Sequence, residues 1–109
     1  MEKRLVEVLN GTADNYILPF LWLRGEPEEI LAEEVEKIHQ SGIGAFCVES
    51  RPHNDFCGPG WWHDMDILLR EAKKRDMKVW ILDDKHYPTG NANDSLGRHP
   101  EARPWLLAE

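Results

Sequence analysis

Residues 42–50 read Gly-Ile-Gly-Ala-Phe-Cys-Val-Glu-Ser, an apolar run opened by glycines and closed by a carboxylate. A short apolar run bounded by turn-formers is the pattern of a strand buried on both faces, which predicts a strand near 43–49. Gly42 suits the left-handed conformation that closes helices, so a helix should end just before it. Upstream, Pro27 fits a first helical turn, and Glu28 and Glu29 sit at the positive end of the dipole. Leu31, Val35 and Ile38 then recur at i, i+4 and i+7, which predicts an amphipathic helix near 27–41. Downstream, residues 50–60 hold two prolines, two glycines, His53, Asn54 and Asp55, the composition of a loop. A second helix is expected near 61–76, with Met65, Leu68, Leu69 and Ala72 on one stripe and Lys73, Lys74 and Arg75 at its negative end.

Two further apolar runs flank this unit. Tyr-Ile-Leu-Pro-Phe-Leu-Trp-Leu at 16–23 predicts a strand buried on both faces, interrupted at Pro19 where a ladder donor is missing. Lys-Val-Trp-Ile-Leu predicts a third strand near 78–83, and Trp22 and Trp80, lying inside apolar strands, read as core. Residues 1–15 form a lead-in, residues 84–97 a polar loop, and 100–109 the start of a third helix. The connections are too long for hairpins and suit parallel crossovers, so the fold class is α/β, a parallel βαβαβ unit of order 1-2-3. Right-handed crossovers between adjacent strands put both helices on one face and leave the other bare. A (β/α)₈ barrel closes its sheet on itself and removes that problem, and the unit has the form of its first third, occupying residues 16–109.

The chain has 109 residues and a formal net charge of −7, enough for one domain and the wrong sign for nucleic acid or an anionic membrane. No apolar run approaches the ~20 residues of a bilayer span, and the amino terminus mixes charged and apolar residues, so neither signal peptide nor anchor is expected. Two cysteines, Cys47 and Cys57, make no disulfide framework, and the cytoplasm is the expected location.

Ligands of parallel α/β folds bind at the carboxyl ends of the strands. That rule selects Arg24-Gly25-Glu26, the stretch from Glu49 to Asp55, and Asp83-Asp84-Lys85-His86-Tyr87. Carboxylates beside Arg, His and aromatic residues suit a polyhydroxylated ring, because they accept paired hydroxyls, donate to ring oxygens and pack on C–H edges. The candidate sugar-binding residues are Glu49, Arg51, His53, Asp83, Asp84 and Tyr87. The competing reading makes Glu49 with Arg51, and Asp84 with Lys85 or His86, ordinary surface ion pairs worth about 0 to 1 kcal/mol. Asp83 and Asp84 face opposite ways on an ideal strand, so one of them at most meets the site, which weakens a reading of Asp83, Asp84 and Glu49 as an acid/base set. Glu49, His53, Asp55, Cys57 and His63 match no zinc spacing, and no nucleotide loop is present, so no metal and no cofactor is expected.

The segments YILPFLWLRGEPEE, GIGAFCVESRPHNDFCGPGWW and KVWILDDKHYPTGNAN resemble the amino-terminal barrel segment of large bacterial glycoside hydrolases, rhamnosidase-like enzymes above all. The most specific pieces are ESRPH after the second strand and DDxxYPTG after the third. Arg24 stands where such enzymes are expected to carry His. The resemblance implies hydrolysis of O-glycosidic bonds, with the catalytic carboxylate pair on later strands and this chain holding part of the sugar subsite. The alternative is a non-catalytic module, carbohydrate-binding or interacting, that covers its bare face by self-association.

Overall fold

The computed structural model describes residues 2–13, 17–85 and 101. The elements run α1 (Lys3–Leu9), β1 (Phe20–Leu23), α2 (Glu28–Gln40), β2 (Ala45–Ser50), α3 (Pro59–Lys74) and β3 (Lys78–Ile81). The three strands form one parallel sheet in the order β1-β2-β3, a βαβαβ unit preceded by a short helix. That helix lies in the stretch read as a lead-in. Tyr16, Tyr87 and the helix expected at 100–109 lie outside the described residues.

Both crossover helices cover one face of the sheet. Leu21 and Leu23 of β1 and Phe46 and Val48 of β2 pack with Leu31 and Val35 of α2 and with Trp61, Met65, Leu68 and Ala72 of α3 in one buried cluster. The opposite face carries Phe20, Trp22 and Trp80, which are 63%, 54% and 60% exposed. The expected core positions of Trp22 and Trp80 are therefore corrected: the strand period of two turns them away from the helices. For the same reason β1 is buried on one face, where burial on both was expected. It begins at Phe20, after a proline that lacks an N–H but whose carbonyl accepts the Cys47 N–H at 2.8 Å. On α3 the stripe is also shifted by a residue, since Leu69 is 45% exposed and Ile67 only 3%.

α2 ends as its glycine predicts. Gly42 takes φ +79°, and Gly42 N–H and Ile43 N–H reach back to the carbonyls of His39 and Ile38, the paired bonds of a Schellman motif. α3 ends the same way on Asp76, a non-glycine residue at φ +55°, with Met77 N–H donating to the Ala72 carbonyl at 2.9 Å.

The two helices are also clamped by charge. Arg75 bonds Glu36 of α2 and Glu71 of α3, while Lys74 approaches Glu71 to 3.0 Å. The Lys74 hydrogen bond, assisted by Arg75, holds the buried Glu71 carboxyl below the usual carboxylate range, against the opposing effect of its burial. A carboxylate lowered in the folded state contributes stability that is present above its unfolded value and lost as pH falls through the folded one. Urea midpoints measured from about pH 7 to about pH 3 should fall on the acid side, and Glu71→Gln should flatten that limb.

Candidate functional site

The sheet register decides which polar side chains meet. Trp22 lies opposite Glu49, and the ladder continues past the strand ends through Arg51 N–H to the Leu23 carbonyl and Leu82 N–H to the Val48 carbonyl. Trp22 and Glu49 thus share one row at the carboxyl edge, and Arg24, Arg51 and Asp84 follow in the next, on the face that the helices leave bare.

Glu49 is 4% exposed although its strand face is uncovered. Its Oε2 accepts the indole Nε1–H of Trp22 at 3.0 Å, and its Oε1 accepts from the Arg51 guanidinium. Arg51 also donates to the Ser50 carbonyl at 2.9 Å and lies 3.7 Å from Asp84 Oδ1. A buried carboxylate needs such partners, because its desolvation would otherwise cost several kcal/mol. Arg24 closes the group: its Nε donates to the Arg51 carbonyl at 2.8 Å, and its guanidinium carbon lies 5.7 Å from the centroid of the Trp22 ring.

The turn after β1 is built to bring Arg24 there. Glu26 Oε2 accepts the N–H groups of Arg24 and Gly25 at 2.9 and 3.2 Å. Gly25 takes φ +106° and runs close to Asn54, whose Oδ1 would lie 3.2 Å from a Cβ at that position. The loops after β1 and β2 therefore touch through a glycine.

The expected site residues divide. Glu49, Arg51 and Asp84 come together, with Asp84 1% exposed, while its neighbour Asp83 is exposed and turned elsewhere. His53 is buried on the helix side, edge-on to Trp61 at 5.3 Å. Its Nδ1 accepts the Asp55 N–H at 3.0 Å, which leaves the proton on Nε2, facing Asp64 Oδ2 at 2.8 Å. Both ring nitrogens are thus spent inside the protein, and His53 braces the loop after β2 against α3. Tyr87 lies outside the described residues. Trp22 and Arg24 are the members of the constellation that the candidate residue set omitted. Their parity with Glu49 was the available signal, masked for Trp22 by the apolar run around it.

Cys47 sits in the middle of the bare face, between Phe20 and Trp80 in the register, and burial pushes its thiol up from the ordinary cysteine range. Among the described residues no three His, Cys, Asp or Glu side chains converge to hold a metal ion, and no helix is long and apolar enough to cross a membrane. No family model, no curated protein and no solved structure matches the chain.

The loop that carries His53 is closed by Asp55, whose Oδ2 accepts the Gly60 N–H at 2.6 Å in the first turn of α3. A Cβ on Gly58 would lie 2.1 Å from Asp55 Oδ1, so any side chain there displaces the cap. Asp55→Ala should cost about 1 kcal/mol and Gly58→Ala about the same. Because both remove one interaction, the double variant should cost far less than the sum in a denaturant-midpoint cycle.

Proposed function

We propose that the chain is the amino-terminal portion of a (β/α)₈ glycoside hydrolase of the rhamnosidase-like type, acting in the cytoplasm on O-glycosidic bonds without a cofactor. One observation carries the reading: Trp22, Arg24, Glu49, Arg51 and Asp84 gather at the carboxyl edge of a parallel sheet, on the face opposite both helices. A closed barrel turns that face inward and builds its active site at that edge. The group provides an aromatic face, two guanidinium groups and the carboxylate of Asp84, the complement of a hydroxylated ring, with Glu49 bonded to Trp22 and Arg51 behind them. In this reading they form one wall of the sugar subsite. The remaining strands supply the acid and the base or nucleophile, two carboxylates ~5 to 9.5 Å apart across the scissile bond.

In the barrel-bearing protein, Asp84→Ala and Glu49→Ala should each lower kcat/KM on an aryl glycoside about tenfold or more, equivalent to about 1.4 kcal/mol of transition-state binding. Unchanged kinetics in correctly folded variants would remove those residues from the subsite, and failure of the unmodified protein to hydrolyse any aryl glycoside would overturn the activity.

A second reading is favoured by the exposure of Phe20, Trp22 and Trp80 on one face, since contiguous apolar surface of that kind marks an interface. Here the face is covered by a second copy of the chain, as a sugar-binding or interaction module. Sedimentation equilibrium of the 109-residue chain then shows a dimer. A monomer that binds no apolar dye would sink this reading.

A further inference from the structure

The carboxylate of Glu49 has both oxygens engaged by protein donors, Nε1–H of Trp22 on one and Arg51 on the other, and is almost wholly buried. A group so placed is poorly available to a ligand hydroxyl. Its visible effect is on its neighbours. An indole more than half exposed on a strand would ordinarily exchange rotamers, yet the Trp22 ring is tied by its Nε1–H to a carboxylate that Arg51 fixes in turn. Arg24, anchored through Nε to the Arg51 carbonyl, sets a cation over one face of the ring at 5.7 Å from its centroid. An exposed indole held in one orientation, with a guanidinium over one face and the other face open, is preorganised for a ring that has both an apolar C–H face and hydroxyl groups.

Resting on the glycoside reading above, we infer that Trp22 is the stacking platform for a pyranose ring, and that Glu49 is a positioning residue which holds the Trp22 indole instead of contacting the sugar. Trp80 provides an internal comparison. It is exposed to the same degree on the same face, but it lies in the Cys47 row, one row farther from Arg24, Arg51 and Asp84. A merely apolar surface would treat the two indoles alike, whereas a built site distinguishes them.

The test is a ¹H–¹⁵N spectrum of the 109-residue chain, with the indole Nε1–H signals assigned through Trp22→Phe and Trp80→Phe. It is titrated with methyl pyranosides differing in hydroxyl configuration and, separately, with cyclohexanol. At least one methyl pyranoside is expected to shift the Trp22 Nε1–H signal while leaving that of Trp80 in place, and cyclohexanol is expected to shift neither. Trp22→Ala should lose about tenfold or more, and Trp22→Phe, which keeps a ring face but lacks the Nε1–H that ties it to Glu49, should lose most of the affinity as well. Glu49→Gln keeps one acceptor oxygen for Nε1–H but turns its NH2 toward the Arg51 guanidinium, so it should bind between the unmodified chain and Trp22→Ala. Glu49→Leu releases the indole and should bind as poorly as Trp22→Ala, with its Nε1–H exchanging faster with water.

Equal shifts of both indoles, or an equal response to cyclohexanol, would overturn the inference by showing an unspecific apolar face. A pyranoside that moves the signals of Arg51 and Asp84 but not Trp22 would overturn it while the glycoside reading stands. A chain in which no pyranoside shifts the Trp22 signal would overturn the inference, while the glycoside reading stands or falls on hydrolysis of aryl glycosides by the barrel-bearing protein.

Discussion

The structure depends on a single geometric constraint: adjacent parallel strands joined by crossovers of one hand must receive both connecting helices on the same side. Every residue of β1 and β2 is sorted by that constraint. Odd positions of β1 and even positions of β2, from Leu21 to Val48, are pressed under α2 and α3 and supply the core. The alternate positions are left to the other face, where Phe20, Trp22, Ala45, Cys47 and Glu49 stand together. Parity thus decides whether a residue joins the core under the helices or the polar and aromatic group on the opposite face.

Seen this way, the parts legible from sequence are those governed by local rules. The spacing of Leu31, Val35 and Ile38, the glycine at 42 and the proline at 27 place α2 to within a residue of its ends, because period and capping act over a single turn. The parallel strands and the one-sided helices also follow, from connection length together with the fixed hand of the crossovers. What escaped was set by tertiary neighbours. An unbroken apolar run around Trp22 carries no mark of which face is covered, so it reads as buried on both. His53 stands in a strand-end loop among sugar-compatible residues, and nothing in its local sequence says that Asp64, eleven positions on, will receive its Nε2–H. The Lys3–Leu9 helix lies in a stretch that mixes charges with apolar residues and offers no clear stripe. In the pair Asp83-Asp84 the alternation rule foresaw a split, and contact with Arg51 selects Asp84.

Two clusters of ionised groups show how the same residue types acquire different roles from their surroundings. Around the buried Glu71 the cations Lys74, Arg70 and Arg75 are long side chains, and Arg75 carries the arrangement across to Glu36, tying two helices together. Around Glu49 the partners come from two strands and include an indole, the carboxylate is withdrawn from solvent, and the guanidinium of Arg51 spans towards Asp84. Both carboxylates are buried, so what separates the two clusters is the set of partners and not the degree of burial.

The register has a kinetic consequence. Phe20 pairs with Cys47, and Ala45 with Lys78, so each ladder joins residues some thirty positions apart and no hairpin can nucleate the sheet. Closing two such loops makes assembly slow compared with a helical bundle of equal size. Until β2 is flanked on both sides, its Ala-Phe-Cys-Val segment presents unpaired backbone and apolar side chains at once, the form in which chains pair with copies of themselves. The central strand, the most protected element once the sheet is complete, is therefore the most hazardous one while it is being made.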